Sequence, residues 1–177
     1  MSFPYPRQFF SWFLASLLWA GLFISSAFSQ TPPHEYPRTV LYQGILHPLV
    51  TVSDHAPVYN FNSYYLVGFP VGVNIWKTAK LGYSLEVVPF IRAENGISRM
   101  SNVLFHPGVL LGLGKGYTLA SRLAFETSGR YGFTPVLNRA FRRPGPMSYF
   151  VAIPLPVRFG NERAASFTAG LQFGITF

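Results

Sequence analysis

Apolar and polar positions alternate with a period of two along most of the chain. In the final stretch, ASFTAGLQFGITF, Phe167, Ala169, Leu171, Phe173, Ile175 and Phe177 share one face. Ser166, Thr168, Gly170, Gln172, Gly174 and Thr176 share the other. Side chains of a β-strand point alternately to its two faces, so the pattern predicts a strand with one apolar side. The same alternation predicts strands in YYLVGFPVGVNIW (64–76), LGYSLEVVPFIRAE (81–94), NVLFHPGVLLGLG (102–114), GYTLASRLAFET (116–127), RYGFTPVL (130–137) and YFVAIPLPVRF (149–159). TVLYQGILHPLVTV (39–52) is an eighth candidate, with a muddled alternation.

The links between these stretches are short, as in KTAK (77–80), GKG (114–116), TSG (127–129) and GNERAA (160–165). Short links join antiparallel neighbours, which predicts an up-and-down meander. Pro70, Pro89, Pro107, Pro135, Pro154 and Pro156 fall inside the predicted strands. Proline donates nothing to a ladder and belongs at edges or bulges. A regular closed barrel offers no edge for them.

The two faces differ in kind. One is large and aromatic. The other is rich in Gly, Ala and Ser with a few charges, which is a poor face for water but suits a cramped barrel lumen. The expected fold is therefore all-β: an up-and-down antiparallel transmembrane barrel of eight strands with its apolar face outward. Tyr64, Tyr65, Trp76, Tyr83, Tyr117, Tyr131, Tyr149, Phe159 and Phe177 lie near strand ends, where membrane barrels carry aromatic girdles. The inward set then includes Glu86, Arg92, Glu94, His106, Arg122, Glu126, Arg130 and Arg158. Buried charges need partners, and both signs are present. A salt-bridged network that plugs the lumen is the expectation, with a conducting pore as the alternative.

Composition supports this placement. Of 177 residues, 49% are hydrophobic and only 11% charged. Soluble chains carry about 25% charged residues. Net charge is +8, but low total charge with 18% aromatic residues argues against nucleic acid and toward lipid phosphates. There is no cysteine, which excludes disulfides, thiol nucleophiles and thiolate metal sites. The N-terminus carries Arg7, then FFSWFLASLLWAGLFISSAF, then the small-x-small Ala27-Phe28-Ser29. This reads as a signal peptide over 1–29 with its signal-peptidase site at Ala27 and Ser29 and a mature chain starting near Gln30, with an uncleaved anchor helix as the alternative. Residues 30–38 form a flexible leader and 39–177 the barrel.

Chemistry is sparsely indicated. His34, His47, His55 and His106 are followed two residues on by Tyr36, Leu49, Pro57 and Gly108, so no His-x-Ser pair shares a strand face. A hydrolase would need a serine activated by a histidine. His106 is read as a hydrogen-bonding residue of the lumen. No metal site and no cofactor are expected; His47, Asp54 and His55 lack ligand spacing.

An alternating last strand ending in phenylalanine resembles the terminal signal of Gram-negative outer-membrane barrels, matched at Phe173, Ile175 and Phe177. With a signal peptide and eight short strands, the chain resembles the small barrels of the outer-membrane protein A and protein X type. It also resembles the uncharacterised small barrels of Bacteroidota. The resemblance implies an outer-membrane location, contact with outer-membrane lipid and lipopolysaccharide, and recognition by the barrel-assembly machinery. A periplasmic C-terminus would put 53–63, 95–101, 127–130 and 160–165 outside the cell. The links 77–80, 114–116 and 138–147 would face the periplasm. The expected role is structural, accessory or surface-interacting, with an unknown protein partner. A narrow channel, a lipid-modifying enzyme and a soluble ligand-binding barrel are the alternatives.

Overall fold

The computed structural model describes residues 35–54, 57–142, 147–160 and 163–177. The expected signal peptide with its Ala27/Ser29 site, and most of the expected leader, lie outside the described residues. The described chain is all-β, in eleven strands: β1 (Arg38–Val52), β2 (Val58–Tyr59), β3 (Tyr65–Gly68), β4 (Val71–Trp76), β5 (Leu81–Glu94), β6 (Ile97–Gly114), β7 (Tyr117–Glu126), β8 (Tyr131–Arg142), β9 (Ser148–Pro154), β10 (Val157–Gly160) and β11 (Arg163–Thr176). All belong to one antiparallel sheet. Its first and last long strands pair, from Tyr42 opposite Thr176 to Val52 opposite Phe167. The sheet therefore closes on itself. Reciprocal hydrogen bonds between Leu41 and Phe177 extend the seam by one more residue, at 3.0 and 2.9 Å.

Eleven strands replace the expected eight for identifiable reasons. Phe69 and Pro70 split one stretch into β3 and β4, which lie in series between β1 and β5. Leu155 and Pro156 split another into β9 and β10, in series between β8 and β11. The two-residue β2 adds a short pairing on β1.

The prolines sit where the ladder needs no donor. The Pro89 carbonyl accepts from Phe69 N–H, so the side of Pro89 that lacks an N–H faces the β3/β4 break. The Pro135 carbonyl accepts from Leu155 N–H in the same way, facing the β9/β10 break. Pro48 adjoins the register shift of β1 against β11. Pro107 lies where the paired positions of β6 and β7 skip from Phe105 to Gly108. A closed sheet thus admits proline by interrupting its ladder locally.

Several links are shorter than expected, among them 160–165, because β10 runs to Gly160 and β11 starts at Arg163. The 95–101 link shrinks to Asn95-Gly96, with φ of 51° and 76°, the left-handed pair of a tight two-residue hairpin. Strand β6 starts at Ile97, and Ser101 is an extra residue within it: Ile91 lies opposite Met100 but Phe90 lies opposite Asn102. This bulge inverts the alternation, which hides residues 97–101 from a period-two reading. The 138–147 link also shrinks, because Asn138–Arg142 continue β8. Lys115-Gly116 forms a second left-handed turn, with φ of 52° and 82°.

The outer face is apolar along every long strand. Leu85, Phe105, Leu123, Phe133, Ile153 and Phe173 are exposed there, Leu123 by 58%. The inner face is not confined to small and charged residues, as the alternation suggested. Tyr42, Leu110, Ala120, Val136, Phe150 and Ala152 form one buried apolar cluster, with Trp76 and Ala140 against it. Leu46, Val88, Phe90, Leu104 and Ala124 form a second. Trp76 and Tyr64, expected in the outer girdles, instead pack on the first cluster and line an internal cavity.

Candidate functional site

The ring interior brings together side chains that are far apart in sequence. Alternation aims Ser84, Glu86 and Val88 of β5 inward, and the bulge at Ser101 sets His106 of β6 directly opposite Glu86. Gly108 lies opposite Arg122 of β7, and any Cβ there would collide with the Arg122 stem. Gly72 similarly leaves room for the Tyr42 ring and hydroxyl.

Glu86 is the hub and is 2% exposed. Its Oε2 accepts from the Tyr42 hydroxyl at 2.9 Å, and its Oε1 lies 2.9 Å from His106 Nδ1. Arg122 Nη1 is 3.5 Å from the same Oε1. Arg122 also donates to Ser84 Oγ at 3.2 Å and to the Tyr42 hydroxyl at 3.2 Å. On its far side, His106 Nε2 lies 2.8 Å from Thr134 Oγ1. Arg158 Nη1 donates to that same hydroxyl oxygen at 3.0 Å, while its Nε donates to Glu126 Oε1 at 2.8 Å. Glu126 Oε2 accepts from Asn102 at 2.8 Å and Ser128 at 2.9 Å. One hydrogen-bonded chain therefore runs from Tyr42 and Arg122 through Glu86, His106, Thr134 and Arg158 to Glu126.

The other sequence-selected residues stand apart from this chain. Arg92 and Glu94 pair at 2.9 Å near the end of β5, with side chains 34% and 36% exposed. The Arg92 guanidinium lies 3.9 Å from the Tyr64 ring centroid. Arg130 bonds to Ser166 Oγ at 2.9 Å and to the carbonyls of Ala164 and Arg158 at 3.1 and 3.4 Å. On β11, Phe173 is exposed and stacks on His47, Ile175 pairs with Gln43 and Tyr149, and Phe177 is exposed beside Leu41. Tyr42, Ser84, Asn102 and Thr134 belong to the site but not to the set expected from the sequence. Ser84 and Thr134 lie on the polar face of their strands, which was the only available signal. Tyr42 sits in the strand whose alternation is disturbed.

The Glu86–His106–Thr134 sequence has the order of a carboxylate–imidazole–hydroxyl relay. Such a relay performs acyl transfer only when the hydroxyl can reach a carbonyl carbon. Thr134 is 1% exposed, and its oxygen also accepts from Arg158. The arrangement pairs buried polar groups with one another. Among the described residues, no group of three His, Cys, Asp or Glu side chains stands close enough to hold a metal ion.

Toward the β5–β6 and β7–β8 hairpins the interior opens into a cavity of about 400 Å³. Its lining includes Tyr64, Glu86, His106, Arg122, Arg130 and Arg158. The opposite half is filled by the cluster around Tyr42, Leu110 and Phe150.

No known protein family matches this sequence, and no curated protein matches it. Among solved structures, the chain is similar to a protein described under "De novo design of transmembrane beta-barrels", at 9% identity and a TM-score of 0.48. The alignment covers 81% of this chain and 97% of that one.

Proposed function

We propose that the protein is an integral outer-membrane barrel with eight staves and a plugged lumen, exported by a signal peptide over 1–29. Its role is structural, accessory or surface-interacting. One observation carries this reading: the exposed outer face is apolar, whereas the interior holds buried charges beside its apolar clusters. The outer face presents Leu85, Phe105, Leu123, Phe133, Ile153 and Phe173 to the surroundings, while Glu86, His106, Arg122 and Arg158 are buried inside. Lipid is the medium in which that arrangement is stable. Several strands are also longer than the roughly 9–11 residues a crossing needs. Outer-membrane lipid and lipopolysaccharide would surround the belt. Arg139, on the outer face 5.1 Å from the Tyr117 ring and 5.0 Å from the Phe141 ring, suits headgroup phosphates at one rim. Phe173, Ile175 and Phe177 would serve the barrel-assembly machinery.

A plugged lumen is preferred to a narrow channel because the apolar cluster at Tyr42, Leu110 and Phe150 backs the polar chain. The test is cell fractionation read on unboiled and boiled denaturing gels. A membrane barrel stays in the outer-membrane pellet and changes mobility when boiling unfolds it. A protein released by osmotic shock, with one mobility, would reverse the reading and make the aromatic face a surface that some other partner covers.

A further inference from the structure

The plug does not fill the whole interior, and the space it leaves is unequal in charge. Four arginines line the cavity, at 92, 122, 130 and 158, against two glutamates, at 86 and 126. Three of the arginines have carboxylate partners: Arg92 with Glu94, Arg122 with Glu86, and Arg158 with Glu126. Arg130 has none within 4.0 Å among the described residues. Its three hydrogen bonds all leave from Nη2 to neutral oxygens, and its Nε is buried without an acceptor. Arg130 is half-buried at the cavity wall and its positive charge meets only neutral oxygens there, so an anion that reaches its Nη atoms from the cavity is favoured. The cavity reaches the surface, because Ser101 and Ser128 at its rim are exposed. Ser166 and Thr168 add hydroxyls, and Leu66 and Phe90 supply an apolar wall.

We propose that this cavity binds a small oxyanion at Arg130: a carboxylate or phosphate group on a short apolar body. The planar guanidinium matches either group with paired N–H donors. The hydroxyls of Ser166 and Thr168 serve the remaining oxygen lone pairs, and the apolar wall takes the body. The site goes beyond a purely structural lumen, and it gives the molecule a reason to keep one half of its interior open.

The test is calorimetric titration of the refolded full chain in zwitterionic micelles at low salt, where screening is weakest. Butyl phosphate and butyrate represent free solutes, and lysophosphatidate represents a lipid bearing the same group. Saturable binding is expected, weakened at least tenfold in Arg130→Gln and unchanged in Arg38→Gln, whose arginine is exposed at the start of β1 and does not line the cavity. Binding by the short anions assigns a soluble ligand, and binding by lysophosphatidate alone assigns a lipid headgroup. If Arg130→Gln does not fold, Arg130→Lys keeps the charge without the planar fork and is expected to bind at least threefold more weakly. No saturable binding to any probe, or equal binding by wild type and the folded Arg130 variant, overturns the site. The gel-mobility test remains separate, since a cavity inside the ring titrates the same way whether or not lipid surrounds it.

Discussion

Glu86 shows how much rests on single positions. One carboxylate gathers Tyr42, His106 and Arg122 from three different strands. Replacing it with alanine leaves Arg122 buried with only neutral partners. Breaking a buried pair from one side costs roughly 3–5 kcal/mol. Glu86→Ala is therefore expected to lower the free energy of unfolding by about that amount, read by urea titration in micelles. Thr134→Val removes the hydroxyl shared by His106 and Arg158 and is expected to cost about 1–3 kcal/mol, since buried Arg158 loses an acceptor and His106 Nε2 loses the hydroxyl that donates to it while Nδ1 faces Glu86. Sequence alone placed Glu86, His106, Arg122, Glu126 and Arg158 on polar strand faces, because a period of two assigns faces directly. It did not place His106 beside Glu86. The Asn95-Gly96 turn by itself would set Phe105 opposite Glu86. The extra residue at Ser101 moves His106 into that position, and no local pattern announces it.

At the scale of elements, strands were legible wherever the alternation is unbroken, as in β5 and β7. They were obscured wherever a bulge inverts it, in β1 after Pro48 and in β6 before Asn102. The prolines that argued against a regular barrel mark the ladder's interruptions instead. This has a measurable consequence. Pro135 faces the β9/β10 break and takes part there only through its carbonyl, which accepts from Leu155, so Pro135→Ala removes no ladder bond. The expected loss is only about 0.4–1 kcal/mol, through greater freedom of the unfolded chain. Leu119, paired with Leu111 on one side and Leu137 on the other, is the contrast. Leu119→Pro removes a ladder bond in the middle of the sheet and is expected to cost several kcal/mol in lipid. Paired unfolding curves of the two variants check both statements.

For the whole molecule, the medium around the outer face decides between readings. Leu123 lies midway along β7 and is exposed. In a bilayer, Leu123→Arg is expected to cost about 2–4 kcal/mol. In water the same change would fall within about 0.5 kcal/mol. Unfolding in phospholipid vesicles distinguishes the two. Planar-bilayer recordings are expected to stay silent at moderate voltage, because the half of the interior around Leu110 and Phe150 is packed. Steady unitary currents would favour the channel.

The seam between β1 and β11 sets the order of events when the chain folds. Its partners are separated by well over a hundred residues, as in Tyr42 opposite Thr176. Every other long-strand pairing joins sequence neighbours. Hairpins such as β5–β6 can zip early from their turns, but the seam waits until residues 163–176 exist and the rest of the sheet has curled round. Folding rates fall as contacts become less local. Until that last pairing, the nascent sheet carries two raw edges able to recruit a strand from another chain. Sealing is therefore the slow and vulnerable moment in this protein's life, and a helper that held β11 until β1 arrived would shorten it.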